Sequence, residues 1–132
     1  MDPLISIQLV SRREVYHSGD KLQFDVQIDA IKPEEIVAVE SSVMWYTAGK
    51  GDEDIGVHFF ERLTPPDAED GDLRPWRQLA TVLPNSPLSY AGEIIKIRWC
   101  VRVRLFTQKR KEFYEQVLFR LAAAPAVAHS VQ

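Results

Sequence analysis

An all-β, two-sheet antiparallel β-sandwich of about seven or eight strands is the fold class this sequence predicts, and three observations predict it. From Ile95 the odd positions are Ile95, Ile97, Trp99, Val101, Val103 and Leu105, whereas the even ones include Lys96, Arg98, Arg102 and Arg104. Only an extended chain turns a period of two into one dry and one wet face. The same alternation recurs at Leu22, Phe24, Val26 and Ile28 against Gln23, Asp25, Gln27 and Asp29. Third, turn residues cut the chain into short runs, and no run has the 3.6-residue periodicity of a long amphipathic helix. The 132 residues are expected to form one domain, large enough to bury a core without disulfides or a structural metal.

The elements follow in order. Ile5, Ile7 and Leu9 mark a first strand that ends at Ser11-Arg12-Arg13. Ser18-Gly19-Asp20 is a turn signal before the strand from Leu22 to Ile28, and Lys32-Pro33-Glu34-Glu35 breaks that strand. A third run places Val37, Val39, Ser41, Val43 and Trp45 on one face. Its other face, Ala38, Glu40, Ser42, Met44 and Tyr46, is apolar enough to be partly covered. Gly49 to Asp54 reads as an exposed loop, and Val57 to Leu63 as the next strand. The acidic, proline-containing segment Thr64–Pro75 reads as a mobile surface loop. Trp76 to Leu83 returns to strand, Pro84 to Pro87 is a turn, and Glu93 to Phe106 is a strand whose length is on the order of 40 Å. After the turn Gln108–Lys111, Phe113 to Leu121 forms the last strand, with Val117, Phe119 and Leu121 on one face. Residues 1–121 are therefore expected to be the domain and 122–132, which are uncharged, a flexible tail.

Composition excludes several functions. A net charge of −3 argues against a general nucleic-acid binder. The opening residues lack the apolar run of a signal peptide, and no stretch approaches the ~20 apolar residues of a membrane-spanning helix. Cys100 is the single cysteine, so no internal disulfide can form. A cytoplasmic location is the expectation.

Several segments, in order, resemble the arrestin-like β-sandwich, specifically the amino-terminal half of the arrestin and retromer-subunit Vps26 group. Tyr16, Ser18-Gly19-Asp20 and Leu22 resemble that family's early Y-x-P-G-E-x-V pattern, with Ser18 for proline and Asp20 for glutamate. Leu83-Pro84-Asn85-Ser86-Pro87-Leu88-Ser89 is similar to its L-P-x-x-x-P-x-S turn, and Ile97 to Val103 to the following I-x-Y-x-V-x-V strand. The resemblance implies an immunoglobulin-like or arrestin-like sandwich with a non-catalytic role in protein binding, commonly as an adaptor. Arrestins carry a second sandwich, for which the residues after Leu121 leave no room. A second copy or a separate protein is then expected to supply that surface, unless the half-unit works alone. A homodimer through an open sheet edge is one such arrangement.

Catalytic and metal-binding patterns are sparse. His17, His58 and His129 are far apart, and no nucleophile elbow, phosphate loop or paired acid and base is present, so no enzyme, cofactor or metal is expected. Cys100 shares a strand face with Arg98 and Arg102, whose charges would lower a thiol pKa, but no neighbouring base or second cysteine accompanies it. Asp67, Glu69, Asp70 and Asp72, and more weakly Asp52, Glu53 and Asp54, offer oxygen ligands without EF-hand spacing. They keep a C2-type calcium- or ligand-binding sandwich as the alternative. The sharper binding candidates are Arg98, Arg102 and Arg104 with Lys96, Arg120 alongside, and Lys109, Arg110 and Lys111 at the strand end. An acidic or phosphorylated segment of a partner protein would find guanidinium donors there. Equally, Asp25, Asp29 and the neighbouring glutamines could neutralise these arginines in cross-strand pairs.

Overall fold

The computed structural model describes residues 2–51 and 53–125. Its strands are β1 (Leu4–Leu9), β2 (Val15–His17), β3 (Lys21–Asp29), β4 (Ile36–Gly49), β5 (Ile55–Leu63), β6 (Arg77–Val82), β7 (Tyr90–Ala91), β8 (Ile95–Thr107) and β9 (Glu112–Ala122). Two sheets result. The smaller runs β1-β3-β6, and the larger runs β2-β9-β8-β4-β5, with β7 pairing β8 beyond the point where β9 stops. The sandwich is thus as the alternation predicts. It has nine strands among the described residues, the extra two being the three-residue β2 and the two-residue β7. One pairing departs from the expected antiparallel rule: β2 lies parallel to the end of β9, Val15 opposite Arg120. The predicted tail falls largely on 126–132, outside the described residues; β9 itself continues to Ala122.

The core sits between β3 and the inward rows of β4, β8 and β9. Leu22, Phe24, Val26 and Ile28 are buried, as are Trp99, Val101, Val103, Leu105, Phe119 and Leu121. Ile95 is instead exposed, because β8 begins before the core does. Trp99 is the largest fully buried side chain. It lies beside Phe119 with 6.0 Å between ring centroids, and its Nε1–H donates to the carbonyl of Pro87 at 2.7 Å. That bond satisfies the one polar atom a buried indole brings inside. Opposite β4, Gly56 faces Trp45, and a Cβ at Gly56 would collide with that indole. Glycine is therefore set by tertiary packing at this point of β5.

The segment Thr64–Pro75 is not a loose loop. Asp67 accepts hydrogen bonds from the amide and hydroxyl of Thr64 (2.8 and 3.1 Å), Asp70 accepts from the amide of Asp72, and Asp72 forms an ion pair with Arg74. Arg74 reaches back to the carbonyl of Ile31, and Leu73 is buried. The acids hold the segment's own backbone.

Cys100 lies on the outer face of the larger sheet, between Met44 and Leu118 in register, and is fully buried there. Desolvation pushes its thiol up to about 11, and the opposing pull of Arg102 is smaller. The lowered pKa that two cations suggest is therefore overturned by burial.

Two outcomes follow from this packing. Trp99→Ala removes the burial and leaves a cavity, and should cost about 3–5 kcal/mol in a urea titration; an unchanged midpoint would contradict the central placement of the indole. For Cys100, the unfolded thiol ionises near its ordinary 9.0, whereas the native thiol holds its proton to about 11. The unfolded state thus binds fewer protons between those values, so stability should fall as pH rises from about 9 to 11. Cys100→Ala should flatten that limb, and a thiol reagent at neutral pH should label Cys100 only after denaturation.

Candidate functional site

The register of the larger sheet decides which predicted residues meet. On its outer face Arg62, Glu40, Arg104 and Tyr114 form one row across β5, β4, β8 and β9. Phe60, Ser42, Arg102 and Gln116 form the next, followed by Val57, Met44, Cys100 and Leu118. Ile55, Tyr46 and Arg98 lie beyond them. The face is therefore mixed. Ile55, Val57, Phe60, Tyr114 and Leu118 are all at least half exposed.

Within these rows the arginines differ in their partners. Arg104 Nε donates to Glu112 at 2.5 Å and Nη1 to Glu40 at 3.5 Å, and Arg62 donates to the same Glu40 at 2.6 Å. The Arg104 hydrogen bond holds the Glu112 carboxyl below its ordinary value and raises Arg104 in return. Arg104 is thus neutralised in place. Arg102 instead donates twice to the neutral Gln116, at 3.0 and 2.8 Å, with its guanidinium 5.7 Å from the ring centroids of both Tyr46 and Tyr114. It keeps its charge on the surface. The neutralising acids are those of β4 and β9. Asp25 and Asp29, the partners suggested by sequence, lie on the smaller sheet, where Asp25 takes a bond from Gln78.

Lys109, Arg110 and Lys111 are exposed in the β8–β9 turn, where Arg110 adopts φ 60° and Thr107 and Lys111 close the hairpin. Nearly the whole of β8 separates them from Arg98, roughly 30 Å of extended chain. The structure does not bring the two ends of the predicted basic surface together.

At the Arg98 end a cleft opens because β9 departs from β8. The β8–β9 ladder stops at Trp99 opposite Phe119, and β7 takes over with Tyr90 opposite Ile97. The end of β9 is held elsewhere: the Arg120 amide donates to the Glu14 carbonyl at 2.8 Å, and the Leu121 amide donates to Ser89 Oγ at 2.8 Å. The Ser89 amide returns a bond to the Leu121 carbonyl at 2.9 Å. The resulting cleft holds about 440 Å3, and among its walls are Glu14, Tyr90, Lys96, Ile97, Arg98, Leu118 and Arg120. Among the described residues no carboxylate lies within 4.0 Å of the cations Lys96, Arg98 and Arg120. Sequence periodicity placed Lys96, Arg98 and Arg120 on one side, but it gave no sign that Glu14, Tyr90 and Leu118 meet them. Those depend on the parallel β2–β9 pairing and on Ser89.

Other candidate chemistry is differently arranged. Among the described residues no three His, Cys, Asp or Glu side chains converge as metal ligands, and Asp67, Asp70 and Asp72 serve the turns above. Glu69, Glu53 and Asp54 join no such group, and Asp52 is outside the described residues. His58 is the extra residue of a bulge in β5, opposite Val43 and Met44, and its ring turns toward β6. Its Nε2 lies 2.7 Å from the Val82 carbonyl of β6, and its ring packs 6.3 Å from Trp99. It ties the two sheet edges together beside the Arg77–Glu61 ion pair. His17 lies 3.7 Å from Asp20 beside the first turn, and His129 is outside the described residues. No helix among the described residues is long and apolar enough to cross a membrane.

No protein-family model matches the chain, and no curated protein matches it. Among solved structures it is similar to the crystal structure of Spo0M, a sporulation control protein from Bacillus subtilis. The TM-score is 0.64 at 16% sequence identity, over 93% of this chain and 50% of that one, so the chain spans half the length of the protein it matches. At that identity the likeness speaks for the fold alone. Spo0M has an arrestin-like fold, and the two-sheet arrangement here is of that kind.

Proposed function

We propose that this chain is a non-catalytic protein-interaction module of adaptor type, whose contact surface is the outer face of the larger sheet and whose partner presents carboxylate or phosphate groups among apolar residues. The observation that carries this reading is the composition of that face. Exposed Ile55, Val57, Phe60, Tyr114 and Leu118 surround Arg102 and Arg98, whose charges no carboxylate within 4.0 Å balances among the described residues. A sheet face that only meets water has no need of such a grouping, whereas interface patches combine aromatic and aliphatic side chains with arginine. Arg104, already paired with Glu40 and Glu112, frames the surface, and Lys109, Arg110 and Lys111 stand apart from it.

The test is affinity capture with the tagged chain, followed by direct binding of the purified, identified partner to wild type, Arg102→Glu and Phe60→Glu. Both substitutions should weaken that partner by about tenfold or more, while Arg102→Glu shifts unfolding by less than about 1 kcal/mol. An identified partner whose affinity neither substitution changes would refute the assignment of this surface.

A further inference from the structure

The cleft at the Arg98 end has features that the remainder of the face lacks. Its volume of about 440 Å3 falls within the range of small-ligand sites, roughly 300–1,000 Å3. Three cations, Lys96, Arg98 and Arg120, line it against one acid, Glu14. On the same face Arg62 and Arg104 are engaged with Glu40 and Glu112, so carboxylates are supplied nearby but are not placed within 4.0 Å of these three among the described residues. Grouped like charges repel one another, and an incoming anion relieves that repulsion. The cleft also has apolar walls: Tyr90 is 58% exposed and Leu118 50%. Cation and apolar wall together fit a side chain with a charged tip beside a hydrophobic neighbour.

Resting on the interaction reading above, we propose that this cleft is the anchor subsite of the surface. It seats an anionic side chain of a partner segment, a glutamate carboxylate or a phosphorylated serine, on Arg98, Arg120 and Lys96. An adjoining apolar residue of the same segment packs against Tyr90 and Leu118. The rigid frame is already present. Trp99 fixes Pro87, Ser89 fixes Leu121, and the Glu14 carbonyl fixes Arg120, so the cations project from backbone that binding need not order. Glu14 contributes the opposing charge that a bound anion must tolerate.

The experiment is fluorescence anisotropy with short labelled leucine- and serine-containing peptides carrying a central glutamate pair, a phosphoserine or a glutamine pair. Proteins are wild type, Arg98→Ala, Arg120→Ala, Glu14→Gln and Arg102→Glu, each with its unfolding midpoint measured. The anionic peptides should bind at least about tenfold more tightly than the glutamine peptide, with affinity that falls as salt rises. Arg98→Ala and Arg120→Ala should each weaken them about tenfold with unchanged midpoints, and Glu14→Gln should tighten them, an effect that a structural role would not produce. Comparison of the glutamate and phosphoserine peptides identifies the preferred anion. Equal binding of the glutamine peptide, indifference to Arg98→Ala and Arg120→Ala, or weakening by Glu14→Gln would overturn the proposal. Binding lost only in Arg102→Glu removes the cleft but keeps the wider surface. Absence of binding by every peptide up to about 1 mM also overturns the cleft, and the purified-partner measurement then decides the surface separately.

Discussion

The hydrogen bond from the Trp99 indole to the Pro87 carbonyl is the constraint on which the arrangement of this end of the sandwich depends. The indole is the largest fully buried side chain of the core, and its single donor has to be satisfied where water cannot reach. Meeting that requirement brings the Pro84–Ser89 segment across the end of β8. Ser89 then bonds both the amide and the carbonyl of Leu121, and β9 is drawn away from β8 toward β2. The first turn joins the same network: Gly19, at φ 88°, donates its amide to the Leu83 carbonyl, and the Leu83 amide donates to the Asp20 carbonyl. The three segments that carry the sequence resemblance are thus one hydrogen-bonded unit.

Charge on the larger sheet is divided by geometry. Arg62 and Arg104 converge on Glu40 because cross-strand register puts them on either side of it, and Glu112 closes the group from β9. The Arg104–Glu112 pair is exposed and contributes little to stability, whereas the Glu40 carboxylate shared by Arg62 and Arg104 is largely buried; together they leave the Arg104 end of the face with nearly balanced charge. One row away, Arg102 meets Gln116, which can accept its hydrogen bonds but cannot cancel its charge. Its guanidinium remains close to two tyrosine rings. Cys100 shows the same competition in reverse: the cation nearby favours a thiolate, yet removal from water favours the thiol, and desolvation is larger.

Alternation made the strands, their inward faces and the position of Trp99 readable from sequence, because side-chain direction in a strand is a local property. What lies beside each residue on the next strand is not local. The arginines of β8 were therefore placed on the correct face, but their neighbours were not, since Glu40 and Glu112 rather than Asp25 and Asp29 flank Arg104. Lys109, Arg110 and Lys111 do lie at the far end of β8 from Lys96, but the carboxylates that occupy the middle of the face come from other strands. Nor is the direction of His58 local: a bulge adds one residue to β5 there and interrupts the period of two, and a bulge has no reliable sequence signature. The acids after Thr64 read as solvated because composition reports charge, not the backbone amides that Asp67 and Asp70 accept from.

The cleft follows from a mismatch in length that an ordinary hairpin would avoid. β8 extends through Ile95, while its ladder with β9 ends at Trp99, so the strand's first residues need another neighbour. The two residues of β7 supply it, but they pair only with Lys96 and Ile97, and a gap remains beside Arg98. Closing that gap with continued β9 pairing would pull Leu121 from Ser89 and Arg120 from the Glu14 carbonyl, breaking bonds that organise the first turn and β2. The opening is consequently maintained by the same bonds that satisfy the buried indole and its neighbours. Its charged lining adds nothing to the core: Lys96, Arg98 and Arg120 are exposed, and their side chains form no hydrogen bond or ion pair among the described residues. Backbone shape and surface charge can therefore vary independently at this place. Stability fixes the cleft, while the residues that line it are free to be set by what enters.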